Sequence, residues 1–537
     1  MIDLFIIISK YLFIIYIAVF VFCGFMINLK RQNMAGFNIA AGLSNQRICI
    51  ILFHITASVV LISAAYEYDI QPVIIYCVIG FLLIIGGNTI TAKLYPEGSH
   101  LLYNCVFFLM DIGLMMLYRL NTDLAVKQLI WNTIGIAMMI VMPKILSVMP
   151  ELYRFRKVYI ICAFALLFAT LVFGFASGGS KNWIDIGPIG FQPSEIIKVF
   201  FVFYLASAFA EKPTFKKLII PTVLSGIIVL VLVGGQNDLG SALIFYMTFV
   251  VLLFIATSNY FYLLGGLAFI SVAAGAAYKL FSHIRVRVEA WQNPWLDPGD
   301  TGYQIAHSLF AICTWGVTGI GFTRGYATSI PVVERDLIFS AVCEEFGVIF
   351  AIGLILIFML ILLEGARGAI ENNNRFLSLV CAGFNALIAF QSFLIIGGVI
   401  KFIPLTGVTL PFVSYGGTSI VISYIIVAIM QWIIMKNQEY ERDKKAEDIH
   451  ERIRHPQTRK AMKMTEGAYD NGEKTSKRKV KTQGSSISGA KKYDLNIRSN
   501  SEGAVERPAR RNVKSAKKTP PDIGGRPESY NRKRRDH

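Results

Sequence analysis

The feature that most constrains this 537-residue chain is the recurrence of apolar runs about as long as a bilayer is thick. A helix crossing the hydrocarbon needs roughly 20 consecutive apolar residues, and about thirteen such windows can be counted. They fall near 4–27, 48–65, 72–90, 101–119, 128–143, 158–177, 193–210, 217–234, 239–257, 261–281, 337–363, 377–400 and 416–435. Hydrophobic residues make up 54% of the chain and charged residues 16%, outside the range of soluble globular proteins. The prediction is an all-α fold, a polytopic membrane helical bundle.

One stretch departs from this plan. From Phe393 to Ser419 the sequence runs FLIIGGVIKFIPLTGVTLPFVSYGGTS, a long apolar helix that breaks into a Pro/Gly-rich re-entry and passes straight into another apolar run. Pro404, Pro411, the Gly416-Gly417 pair and the polar Ser414, Thr418 and Ser419 crowd into it. Irregular backbone at membrane depth is tolerated only where protein buries it or where it lines a cavity. The stretch therefore reads as the wall of a working site.

Charge sets the topology. Lys30, Arg31 and Arg47 mark one loop as cytoplasmic, as do Lys144, Arg154, Arg156 and Lys157, and then Lys212, Lys216 and Lys217. Thirteen spans put the N-terminus outside and the C-terminus in the cytoplasm. Much of the net charge of +17 lies in residues 437–537, a tail rich in Lys, Arg, Ser, Gly and Glu without apolar periodicity, expected to be disordered. Such a tail is attracted to anionic membrane lipids. Nucleic acid is not an expected partner, since no aromatic interleaving accompanies the charge. The eight cysteines show no CxxC spacing, and six of them lie in apolar spans, so neither a zinc site nor a disulfide framework is indicated.

Two loops on the outer side stand out. Residues 177–195, SGGSKNWIDIGPIGFQPSE, carry Trp183 and paired turn signals, and residues 282–336 form the longest extramembrane stretch before the tail. Loops longer than about 12–15 residues are usually functional or disordered, and this one has aromatic and turn chemistry. Trp183, Trp291 and Trp295 suit sugar stacking, although tryptophan at a membrane boundary is also an ordinary interfacial anchor.

Taken in order, GSKNWIDIGPIGFQPSE, QNDLGSAL, NPWLDPGDTGYQ, ERDLIFSAVCEEFG and PLTGVTLPFVSYGGTS resemble the SEDS family of shape, elongation, division and sporulation proteins, over roughly residues 100 to 436. The resemblance implies a ten-helix core at 101–436, with the large extracellular loop 282–336, preceded by about three extra N-terminal transmembrane helices in residues 1–100. It implies a peptidoglycan glycosyltransferase that polymerises lipid II at the outer face of the bacterial cytoplasmic membrane. Such enzymes usually work beside a class B penicillin-binding protein, a transpeptidase. A lipid II flippase and a scaffold recruiting that transpeptidase are the alternatives. The family's essential acidic residue sits in a pattern close to P-E-x-H-T-D-F-I-F followed by G-E-E-L-G. The matching run here is Pro331 to Phe339 and then Cys343 to Gly347, so Asp336 aligns with the catalytic aspartate. Its neighbours depart from the pattern: Glu334, Arg335 and Leu337 replace His, Thr and Phe, and Ile395 stands where relatives often carry Asn.

The implied chemistry needs a base for the acceptor hydroxyl and cations for the departing pyrophosphate. Desolvation pushes Asp336 towards the working pH range, while Arg335 beside it pulls the other way. The outer-side cations are Lys181, Lys198, Arg285, Arg287, Arg324, Arg335 and Lys401, with Lys198, after the Gln192–Glu195 turn, best placed and matching a family lysine. A magnesium or manganese ion is a further candidate, though no cluster has ligand spacing. On one continuous helix Glu344 would face within about 80° of Asp336, so it is expected to line the cavity, and Glu345 the opposite side. Glu195, Thr406, Ser414, Tyr415 and Thr418 complete the expected substrate-binding set. Asp238 is expected to cap a helix and Asp111 to make a buried packing hydrogen bond.

Overall fold

The structure is a computed structural model. It describes residues 2–31, 36–65, 69–149, 151–177, 180–186, 189–211, 213–297, 299 and 302–454. Twelve helices among the described residues are long and apolar enough to cross a membrane. They are α1 (Ile2–Arg31), α2 (Ile39–Ala64), α3 (Gln71–Leu94), α4 (His100–Leu120), α5 (Thr122–Val148), α6 (Arg156–Phe173, spanning with the short 3-10 turn Leu152–Phe155), α8 (Phe215–Gly234), α9 (Leu239–Thr257), α10 (Tyr260–Leu280), α14 (Val348–Ile370), α15 (Arg375–Val399) and α16 (Thr418–Arg454). The thirteenth expected span is α7 (Pro193–Phe209), whose 17 residues reach only about 25 Å at 1.5 Å per residue.

Helix α4 is apolar all round and almost wholly buried, as a helix surrounded by others must be. The three N-terminal helices pack on it and on α14. Polar side chains stitch them in place: Asn88 donates to Asn104 (3.0 Å), Asn104 donates to Gln46 (3.1 Å), and His54 pairs with Asp111 (2.7 Å). At one end Glu364 of α14, fully buried, takes Arg31, Arg367 (2.8 Å) and the Ser99 hydroxyl (2.7 Å). Asp111 is thus the expected buried hydrogen-bonding group, with its partner supplied by α2.

Three expectations are corrected. The 337–363 window is two helices, because Gly347 turns the chain at φ +89° between α13 (Ile338–Phe346) and α14. A Cβ there would sit 2.4 Å from the Thr318 carbonyl carbon. The 282–336 loop carries two helices, α11 (Ser282–Gln292) and α12 (Tyr303–Thr314), the latter holding Cys313. The start of the tail is not disordered: α16 continues through Arg454, built from strong helix formers with Glu441 four residues before Lys445. Positions 455–537 lie outside the described residues. The 177–195 segment folds as antiparallel strands β1 (Phe175–Ser177), β2 (Ser180–Ile186) and β3 (Ile189–Phe191) in the order β1-β2-β3. Its Gly187-Pro188 turn lies outside the described residues.

Candidate active site

The chain between Pro331 and Leu337 is a series of turns leading into α13, and it is held from one side by the re-entry of residues 404–417. The Tyr415 N–H donates to the Glu334 carbonyl (2.9 Å), and the Ser414 hydroxyl donates to the Arg335 carbonyl (2.6 Å) while accepting from the Leu410 N–H (2.9 Å). The Arg335 guanidinium lies over the Tyr415 ring at 5.7 Å. Asn121, which caps α5, donates to the Glu334 carboxylate (3.3 Å). Val332 and Phe412 within these segments, and Lys401 just before the re-entry, are all held at positive φ (60–65°). Bulky residues avoid that region, and such strain persists only where surrounding contacts over-determine it.

Fixed in this way, Asp336 opens onto a cavity of about 680 Å³. Its walls come from β2 (Asn182, Trp183), the start of α7 (Glu195), the start of α9 (Asp238, Ser241), α11 (Arg287, Ala290) and the re-entry (Leu405 to Thr409). Asp336 is half-buried, and among the described residues its carboxylate makes no hydrogen bond. Burial pushes it up to about 6, against the pull of the Arg287 and then the Arg335 guanidinium. Desolvation and the neighbouring guanidiniums both act on this carboxylate, and desolvation wins. Gly407, at φ +75°, brings backbone close: a point one Cβ bond from it lies 3.6 Å from Asp336 Oδ2 and 3.9 Å from Arg287 Nη1. A carboxylate poised near neutrality beside two guanidiniums can take a proton while an anion is held next to it.

Of the expected site residues, Asp336, Glu195 and Thr406 line this cavity, and the others do not. Lys198 is 2% exposed and sits behind the wall, bonded to Glu195 (2.7 Å) and Gln391 (3.0 Å). Lys401 faces away and donates to the Gln292 carbonyl (3.3 Å), while its own carbonyl accepts from Trp291 Nε1 (3.0 Å). Ser414 and Tyr415 act on the backbone that carries Asp336, and the Thr418 hydroxyl accepts from the Gln192 N–H (3.3 Å). Glu344 does not join Asp336. It lines a separate cleft of about 170 Å³ and accepts from the Tyr326 N–H (2.9 Å). Glu345 is buried against Arg119 (3.2 Å) and the Thr323 and Gly325 N–H groups; burial still lifts its carboxyl to about 7.

Sequence reasoning undervalued Arg287, placing Lys198 first among seven cations, because nothing in the sequence reveals that α11 folds back over Leu405 and Gly407. Asp238 does cap α9, accepting from the Ser241 N–H (2.9 Å), and also binds Asn182 (2.8 Å) and Gln192 (3.3 Å) across the cavity wall. Among the described residues no three His, Cys, Asp or Glu side chains gather as metal ligands.

Comparison with known proteins agrees with this frame. "Peptidoglycan glycosyltransferase RodA" of Mycobacterium tuberculosis is 29% identical over 381 residues, covering 66% of this chain and 81% of that protein. "Stage V sporulation protein E" of Bacillus subtilis is 31% identical over 365 residues, covering 63% of this chain and 97% of that protein. A solved structure titled "Structural coordination of polymerization and crosslinking by a peptidoglycan synthase complex" shares the fold, with a TM-score of 0.54 at 24% identity over 63% of this chain and 97% of that one. Residues 99–439, from the cap of α4 into the extended α16, match the sequence profile of the FtsW/RodA/SpoVE family, described as cell cycle proteins, and the chain belongs to that family.

Proposed function

We propose that this protein is a peptidoglycan glycosyltransferase that polymerises lipid II at the outer face of the bacterial cytoplasmic membrane, with Asp336 as its general base. The observation that carries the reading is a half-buried carboxylate without a hydrogen-bond partner among the described residues, lifted to about 6, on a cavity wall shared with Arg287 and Arg335. The names of the curated relatives point to the same activity.

The acceptor sugar hydroxyl passes its proton to an Asp336 carboxylate oxygen as its own oxygen bonds to the anomeric carbon of the donor. The bond from that carbon to the pyrophosphate oxygen breaks, and its electron pair leaves on the pyrophosphate. Arg287 and Arg335, planar and permanently charged, are suited to take up that charge. Trp183 offers a ring face to a sugar. A magnesium or manganese ion on the pyrophosphate is compatible with these donors, since magnesium commonly takes one or two protein carboxylates and completes its shell with phosphate and water. Glu334, on the same cavity wall, would hold it together with water, leaving Asp336 free as the base. Glu195 and Asp238 are already engaged by Lys198 and by Asn182, Gln192 and Ser241.

The position of the cavity at one end of the bundle favours catalysis over lipid transport. A class B penicillin-binding protein is the partner this reading calls for, in keeping with the synthase complex named in the solved structure. The basic loops favour an orientation with the N-terminus outside and the end of α16 in the cytoplasm. The test is polymerisation of lipid II by purified protein, with its transpeptidase partner present. Glycan strands from wild type and a fall of about 10²–10⁴ in Asp336→Asn are expected for loss of a general base. Equal rates in the two proteins would refute the assignment.

A further inference from the structure

A second cavity, of about 650 Å³, lies at the opposite end of the bundle. Helix α7 runs from Glu195 at the Asp336 cavity to Ser207, Ala208 and Ala210 in this one. Its walls bring together Arg156 at the start of α6, Lys216 and Lys217 at the start of α8, and Arg375 at the start of α15, with Tyr153 and Phe376 beside them. Four cations face one carboxylate, Glu211, which is already bonded to Lys217 (2.9 Å).

The positive-inside tendency accounts for basic residues at this end, but not for their inward placement. Lys144 and Lys157 at the same end are exposed, and Arg154 pairs with Glu151. Arg156 and Arg375 are instead half-buried between helices, and neither is within ion-pair distance of a carboxylate among the described residues. Arg375 spends one N–H on the Ala256 carbonyl (2.6 Å), and Arg156 lies over the Tyr204 ring at 5.8 Å. Partly desolvated guanidiniums crowded beside two lysines repel one another unless an anion joins them. Planar guanidiniums pair with phosphate through parallel hydrogen bonds. The exposed Ile220 of α8 lines the cavity, and it and the exposed Ile161 of α6 can lie along acyl chains. Basic pockets between transmembrane helices are a known setting for anionic head groups.

We infer that this cavity is a binding site for a phosphate-bearing anion, and specifically for the phosphodiester head group of an anionic phospholipid at the end of the bundle away from Asp336. It is tested on the full chain in detergent by native mass spectrometry with phosphatidylglycerol, phosphatidylcholine and, separately, inorganic phosphate. Phosphatidylglycerol should bind saturably and phosphatidylcholine should not. At roughly fivefold for each cation removed, Arg156→Gln with Arg375→Gln should weaken binding about 25-fold, whereas Lys144→Gln with Lys157→Gln should leave it unchanged. Lys216→Gln with Lys217→Gln, exposed at the rim, repeats the test without touching packing and should weaken binding severalfold. Arginine-dependent binding of inorganic phosphate with no gain from the lipid would keep the phosphate site and transfer it to a free anion. Equal losses in the cavity and control variants, or no saturable binding of either probe, would overturn the site.

Discussion

Removing the positive charge of Arg287 should move the pH dependence of catalysis in a direction that the geometry dictates. Asp336 Oδ2 and Arg287 Nη1 approach a common point beside Gly407 at 3.6 and 3.9 Å. Those two distances put the charges at most about 7.5 Å apart, where an effective dielectric of about 20–40 gives ~1–2 kcal/mol of attraction or more, or about one to two pH units on the carboxylate. The guanidinium favours the charged form, so Arg287→Gln raises the Asp336 pKa from its value of about 6. A base must be deprotonated to act, so activity rises with pH through that pKa. The acid limb of kcat/KM for lipid II polymerisation should have its midpoint near 6 in wild type and about one to two units higher in Arg287→Gln.

Arg287→Lys keeps the charge and should hold the midpoint near the wild-type value even if the rate falls through poorer pyrophosphate contact. The two effects separate cleanly, because lost anion binding scales the whole profile and altered basicity displaces it along the pH axis. Measured from pH 5 to 9, an active Arg287→Gln enzyme whose midpoint is unmoved or lower would refute the coupling. A profile in wild type with no limb near 6 would remove Asp336 as the titrating base.

Lys198→Met leaves Glu195 buried without its cation, which should cost about 3–5 kcal/mol in thermal unfolding, and adding Glu195→Gln should recover part of it. Ser414→Ala removes the hydroxyl that bridges the Leu410 N–H and the Arg335 carbonyl, so a stability loss of about 1–3 kcal/mol is expected; because that bridge positions Asp336, polymerisation should fall further than melting alone explains. Gly347→Ala places a Cβ against the Thr318 backbone at positive φ and should abolish a stable, monodisperse preparation on size-exclusion chromatography.

What the sequence could show follows from what each signal depends on. Apolar length is a local property, so twelve of the thirteen windows each fall on a single helix and only 337–363 is divided between two, and the Asp238 cap and the buried Asp111 were readable because capping and intramembrane burial are local too. Asp336 was legible through its surrounding pattern, whereas Ser414 and Tyr415 were legible only as polar groups in an expensive stretch. Their partners are the carbonyls of Arg335 and Glu334, about eighty residues away, and a backbone acceptor leaves no mark in composition. Lys198 carried a signal that was passed over: it lies three residues after Glu195 on a helix, the spacing of an intrahelical ion pair. Glu344 failed for a different reason. Counting Asp336 onto the same helix gave Glu344 its face, but Asp336 lies in the turns before α13 begins at Ile338, and the Glu344-Glu345 pair instead anchors the 323–326 turn through its N–H groups. For the division of 337–363, the glycine after a run ending Glu-Glu-Phe was the available stop signal. Hence the catalytic proposal rests on one carboxylate and two guanidiniums, and most of the polar motif around them holds that carboxylate in position.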